Sequence, residues 1–155
     1  MISPEQPAIR CSGLGKSYGP NEALKSLDLT VHKNSIFGLL GPNGAGKSTT
    51  MKLLTRQIAP TCGQAWVAGV PIAAQTNDVR RRIGYLSEQP AFYSWMTGYE
   101  FLDFIGELFG LKSTTRRKHC IELLELVGLA KAARKKIGAY SHGMRQRLGI
   151  AQALI

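Results

Sequence analysis

The chain has 155 residues, enough for a domain that buries roughly 70% of its unfolded surface. With 44% hydrophobic and 19% charged residues it has the composition of a soluble globular protein, and no run approaches the ~18 apolar residues of a membrane span. The net charge of +10 sits in clusters, "VRRRIGY" at 79–85, "RRK" at 116–118 and "KAARKK" at 131–136, none with the interleaved aromatics of a nucleic-acid platform.

These clusters read as solvated faces or as surfaces for an anionic partner such as nucleic acid or lipid headgroups. The opening "MISPEQPAIR" has neither a basic start nor an apolar core, so it does not read as a secretory signal. Cys11, Cys62 and Cys120 are odd in number and in no CxxC pattern, as expected of reduced structural thiols in a cytosolic protein.

In chain order, residues 7–18 and 24–31 read as strands around a break at "GPNE", 19–22. The second alternates, with Leu27, Leu29 and Val31 on one face. "SIFGLL", 35–40, is apolar without alternation, which predicts a strand buried on both faces of a parallel sheet. A helix is expected from about Lys47 to Gln57, then a strand over 64–69, a polar helical segment, and a strand over 82–87. After the aromatic "QPAFYSWM", Thr97 and Glu100 have the spacing of a capping box. The helix they open carries Phe101, Phe104, Ile105, Leu108 and Phe109 on one stripe. A further helix over 114–127 should turn Ile121, Leu124 and Val127 inward and end at Gly128. Ser141 is a good N-cap for a last helix, with Met144, Leu148, Ile150, Ala151 and Leu154 at helical spacing.

One stretch carries chemistry by its residues alone. "GPNGAGKS", Gly41–Ser48, fits GxxxxGK[ST], between an apolar run and a helix. Gly41, Gly44 and Gly46 free the backbone to turn its N–H groups toward phosphate oxygens, and the helix N-terminus adds its positive dipole end. Lys47 then supplies a point charge to the β- and γ-phosphates and Ser48 a hydroxyl ligand to Mg²⁺. A second GKS, at Gly15–Ser17, has Arg10 where the leading glycine should stand and reads as a turn in a β region.

"IFGLLGPNGAGKSTTMKLL", "RIGYLSEQPAFYSWMTGYEFL" and "YSHGMRQRLGIAQAL" together resemble, in order and spacing, the nucleotide-binding subunits of ABC transporters, of the exporter-like kind with separate membrane subunits. The resemblance runs from about Ile9 to Ile155. It implies an α/β fold with a P-loop ATP-binding core and antiparallel β part over 1–90, then a helical subdomain and signature motif over 91–155. The implied cofactors are ATP and Mg²⁺. The implied partners are membrane-spanning subunits and a second ATP-binding subunit, with the protein peripheral on the cytoplasmic face of the cell membrane.

Position by position, the resemblance implies that Tyr18 stacks on adenine. It places Gly41, Pro42, Asn43, Gly44, Ala45, Gly46, Lys47, Ser48 and Thr49 around the phosphates. Ser141 and Gly143 would contact the γ-phosphate held by the other subunit. The signature departs from LSGGQ: His142 replaces the first glycine and Met144 the glutamine, and His142 reads as a tolerated variant beside phosphate or as a solvated side chain. The glutamine loop is also irregular, since "GYLSEQ" offers both Glu88 and Gln89 for the Mg²⁺- and water-contacting role. The aromatic "AFYSWM" reads as a docking surface for the membrane partner or as core of the helical subdomain.

In this family an Asp-ended strand, a catalytic Glu and a switch His follow the signature helix, and no acidic residue follows Glu125 here. The chain therefore reads as the first two-thirds of such a domain, so that hydrolysis by these residues alone is doubtful. An ABC protein acting on nucleic acid or ribosomes, favoured only by the charge, and an inactive fragment are the competing readings.

Overall fold

The computed structural model describes residues 6–74 and 78–155, which form two compact units divided between Ile83 and Gly84. The first five residues of the opening stretch, and residues 75–77 of the expected polar helical segment, lie outside the described residues.

The first unit is built on a four-stranded antiparallel sheet. β1 (Ile9–Tyr18) pairs on one side with β2 (Asn21–Val31) and on the other with β3 (Cys62–Val67), which also pairs with the short β4 (Val70–Pro71). The expected break at 19–22 shrinks to Gly19 and Pro20, because Tyr18 already pairs with Asn21 and Ser17 with Glu22. Cys11, Leu14, Leu24, Ala65 and Val67 turn inward from these strands and bury against Leu53 and Leu54 of α1 (Lys47–Leu54). Each leucine or valine among them contributes about 1.5–3 kcal/mol when fully buried.

Two expected strands are not formed. Residues 35–40 make no ladder with any described residue, and Ile36 and Leu40 are 106% and 91% exposed. An unalternating apolar run specifies burial on both faces, but a strand exists only where a neighbour accepts its hydrogen bonds, and no described strand lies beside this one. Residues 82–87 likewise give a short turn at Arg80–Arg82 and then chain with no helix or strand. α1 also stops before Gln57. Arg56 adopts φ 56°, and the N–H groups of Arg56 and Gln57 turn back to the carbonyls of Leu53 and Lys52, closing the helix.

The second unit is helical: α2 (Gly98–Leu108), α3 (Ser113–Leu126) and α4 (His142–Ala153). α2 starts where the sequence says it should. Glu100 N–H donates to Thr97 Oγ1 at 3.2 Å, while Thr97 N–H donates to Glu100 Oε2 at 2.8 Å. α3 ends as expected at Gly128, whose φ of 68° suits glycine and lets Leu129 N–H reach back to Leu124 O. Arg116 ties α3 to α2, donating to Asp103 at 2.7 Å and to Leu111 O at 3.2 Å, and it pairs with Glu107 at 3.6 Å. The core is Phe101, Leu102, Cys120, Leu123, Leu124, Leu129, Ile137, Tyr140, Leu148 and Ala151.

The expected stripes are offset from this core. Leu108 and Phe109 are exposed at the end of α2, and Ile121 points outward on α3, where Cys120 and Leu123 take the buried positions beside Leu124. On α4, Leu148 and Ala151 are buried and Ile150 and Leu154 exposed. The aromatic segment divides: Phe92 and Met96 pack on the core, while Tyr93 and Trp95 meet at a tilt, ring centroids 4.9 Å apart, and remain exposed. Cys11 and Cys120 are free thiols pushed up to about 11 by burial, so they are inert interior groups.

Candidate functional site: an open phosphate loop

The loop Gly41–Gly46 reaches α1 through a tight turn in which Ala45 N–H donates to Pro42 O at 3.2 Å. Gly46 is the N-cap residue, in the left-handed region at φ 86° with no side chain to cap the helix. A Cβ there would meet Leu24 Cδ1 at 2.8 Å and Ala23 O at 3.2 Å, so glycine is required by conformation and by space. The first helical bond is Thr50 N–H to Gly46 O, at 2.8 Å. The N–H groups of Lys47, Ser48 and Thr49 therefore find no acceptor among the described residues. Three unpaired donors and the positive end of a helix dipole lie together on an exposed turn, an arrangement that suits an anion.

Lys47 strengthens it. Its Nζ donates to Gly41 O and to Pro42 O, both at 2.7 Å, which holds the ammonium across the mouth of the loop. Ser48 is exposed and its hydroxyl makes no hydrogen bond among the described residues. Thr50, two positions on, is buried and donates its hydroxyl to Gly46 O at 3.0 Å, anchoring the turn from beneath. Gly41, Pro42, Asn43, Gly44, Ala45, Gly46, Lys47, Ser48 and Thr49 are thus brought together by one local turn.

Tyr18 ends β1 in the same unit, 51% exposed, with Lys16 Nζ 5.0 Å from its ring centroid. The second GKS, at Gly15–Ser17, is strand rather than the expected turn: it lies inside β1, with Lys16 opposite Leu24.

The other sequence-selected residues belong to the second unit. Glu88 and Gln89 are exposed, on chain with no helix or strand. Ser141 caps α4, accepting Met144 N–H at 3.3 Å, and leaves His142 and Gly143 exposed on the first turn. Tyr140, just before them, is buried and donates its hydroxyl to Ala132 O at 2.7 Å. Burial raises its phenol above the ordinary value, which keeps it a neutral donor. Sequence reasoning passed over two of these contacts. Lys16 and Tyr18 are two apart on a strand, a spacing that places side chains together. Tyr140 gave no signal beyond standing where the resemblance has leucine.

Among the described residues no helix is long and apolar enough to cross a membrane. The profile of the family described as "ABC transporter" matches residues 24–155. The chain is 49% identical over 147 residues to the uncharacterized ABC transporter ATP-binding protein YxlF of Bacillus subtilis, covering 95% of this chain and 48% of that one. It is 40% identical to the daunorubicin resistance ATP-binding protein DrrA2 of Streptomyces coeruleorubidus, covering 96% and 46%. It spans about half the length of these curated relatives. Among solved structures, cbiO1 from Clostridium perfringens, part of the ABC transporter complex cbiONQ, matches with a TM-score of 0.87 at 24% identity, covering 97% of this chain and 62% of that one. That likeness places the two units in the ABC ATP-binding fold, and with the profile and the relatives it establishes that this chain belongs to the ABC transporter family.

Proposed function

We propose that the chain is the ATP-binding part of an ABC transporter, coupling ATP binding and hydrolysis to transport through separate membrane-spanning subunits at the inner face of the cell membrane. The observation that carries this reading is the open N-terminus of α1, with three free N–H donors and the Lys47 ammonium across the loop. Phosphate oxygens are stronger acceptors than the two carbonyls that hold Lys47 in their absence, so the ammonium has a gain in moving to them. Tyr18 offers an exposed ring for adenine.

Mg²⁺ takes oxygen ligands and keeps few protein ones, which fits a free Ser48 hydroxyl beside a phosphate site, with Gln89 as a further oxygen donor. When bound, the ion neutralises charge on the phosphates. Of the two glutamine-loop candidates, Gln89 is the better partner, because Glu88 would bring a negative charge toward the γ-phosphate. The capped but exposed first turn of α4, with Ser141 and Gly143, suits a γ-phosphate presented by a second ATP-binding subunit. The resistance and ATP-binding names of the reported relatives agree with this reading.

Calorimetric titration of Mg·ATP into the full-length protein tests the reading. Lys47→Ala removes charge-assisted contacts of about 1.5–3 kcal/mol and should weaken binding roughly ten- to 150-fold. Lys52→Ala, on the last turn of the same helix, should leave it unchanged. Equal losses in the two variants would overturn the assignment.

A further inference from the structure

Lys16 stands in half-buried strand; its side chain makes no ion pair or hydrogen bond among the described residues and places its ammonium over the Tyr18 ring at 5.0 Å. The backbone beneath the pair is pinned. Ser17 N–H donates to Thr61 Oγ1 at 3.1 Å, Thr61 N–H donates to Gly15 O at 2.9 Å, and Tyr18 pairs with Asn21 across the hairpin. Ring and cation are thus held in register by a strand locked on both sides.

We infer that Lys16 is a positioning residue of the base site, holding the Tyr18 ring so that one face is covered and the other is presented to a purine. The inference rests on the proposed stacking of adenine on Tyr18. A cation within about 6 Å of an aromatic centroid is attracted by the ring's negative face. It fixes a side chain that would otherwise lose rotamer freedom on binding, and ordering that precedes binding raises affinity. It also draws electron density toward itself, leaving the far face better matched to an electron-rich purine. Lys16 acts through Tyr18 and not by contact with the nucleotide.

The test compares Mg·ATP with Mg·tripolyphosphate, which shares the phosphates and lacks the base, by calorimetry on the full-length protein. Lys16→Met keeps the apolar stem and removes the cation. It should weaken ATP roughly two- to fivefold, the range for an exposed cation–ring pair, and leave tripolyphosphate unchanged. Lys16→Arg should restore ATP affinity. Lys25→Met, an exposed β2 charge, should change neither ligand, which separates a local effect from a change of net charge. In a Tyr18→Ala background, Lys16→Met should have no further effect.

A loss that persists without the ring, or that is equal for tripolyphosphate, would show that Lys16 acts elsewhere and sink the inference. If Tyr18→Ala weakens ATP selectively but Lys16→Met does not, the inference fails and base stacking stands. If Tyr18→Ala leaves the ratio of ATP to tripolyphosphate affinity unchanged, stacking itself fails, and the role of Lys16 falls with it.

Discussion

Two helix starts in this chain solve the same problem in opposite ways. α2 begins with Thr97 and Glu100, each satisfying the other's backbone N–H, while the Tyr99 N–H between them donates to Ala133 O at 3.0 Å, so its donors are paired within the fold. α1 begins with Gly46, which contributes no side chain, and leaves the N–H groups of Lys47, Ser48 and Thr49 open. Any helix N-terminus costs free energy until its donors are paired. A start whose donors are capped is finished when the chain folds. One left uncapped on an exposed turn, with a cation across it, keeps its donors available to water or to an anionic ligand. α4 stands between them: Ser141 caps one donor, and Gly143 is exposed beside it.

The largest way to break this contrast is to fill the open start. Gly46→Ala puts a Cβ into the left-handed region, at about 1–2 kcal/mol for the conformation alone, and against Leu24 and Ala23 O. Both thermal stability and Mg·ATP affinity should fall, because the turn that aims the donors shares the residue that is strained. A variant that melts like the wild type and binds ATP normally would show that Gly46 is replaceable and the open cap incidental.

Next in size is the closed start. Thr97→Ala removes the acceptor for Glu100 N–H and should cost about 1 kcal/mol of stability, largely recovered by Thr97→Ser. Mg·ATP affinity should not change, since nothing at that cap is open to a ligand. Differential scanning calorimetry with a parallel ATP titration separates the two effects. A loss of affinity at constant stability would mean that the α2 cap belongs to the nucleotide site.

The two starts were equally legible in the sequence, because both are local: a TxxE spacing and a GxxxxGKS spacing each specify a turn within a few residues. Gly128 was legible for the same reason, as a left-handed residue after a helical run. What failed was what depends on partners distant in the chain. "SIFGLL" encodes a wish for burial, but whether Ile36 and Leu40 find cover depends on neighbours the run does not contain. The buried face of α3 was off by one position, Cys120 for Ile121, because cysteine counts little in a periodicity and packs like a small hydrophobe. Arg56 hid the end of α1, since a left-handed residue is sought as glycine or asparagine and here is arginine. In the candidate site, the loop could be read from its letters because it lies within one turn, while the Lys16–Tyr18 contact was hidden because Gly15–Ser17, inside the stretch read as strand, reads as a turn.

The smallest expected effect sharpens the contrast by pH. The Glu100 carboxylate lies below its ordinary value of 4.5, chiefly because Thr97 N–H donates to it, then through the Thr97 side chain, with Lys136 adding attraction. A carboxylate whose folded value is depressed binds protons less readily in the folded state than in the unfolded one. Its stabilisation is therefore complete above the unfolded value, through neutral pH, and is lost as pH falls through the folded value. The group is fully exposed, so the effect is modest and weakens with salt. Glu100→Gln keeps an oxygen acceptor but cannot ionise. The melting temperature of wild type should exceed that of the variant at neutral pH, and the gap should close on acidification well below pH 4.5. The same pH scan of Mg·ATP affinity should show no difference between the two proteins. A melting gap independent of pH would mean that α2 is held by the shape of the Glu100 side chain and not by its charge, and the closed start would then owe nothing to ionisation.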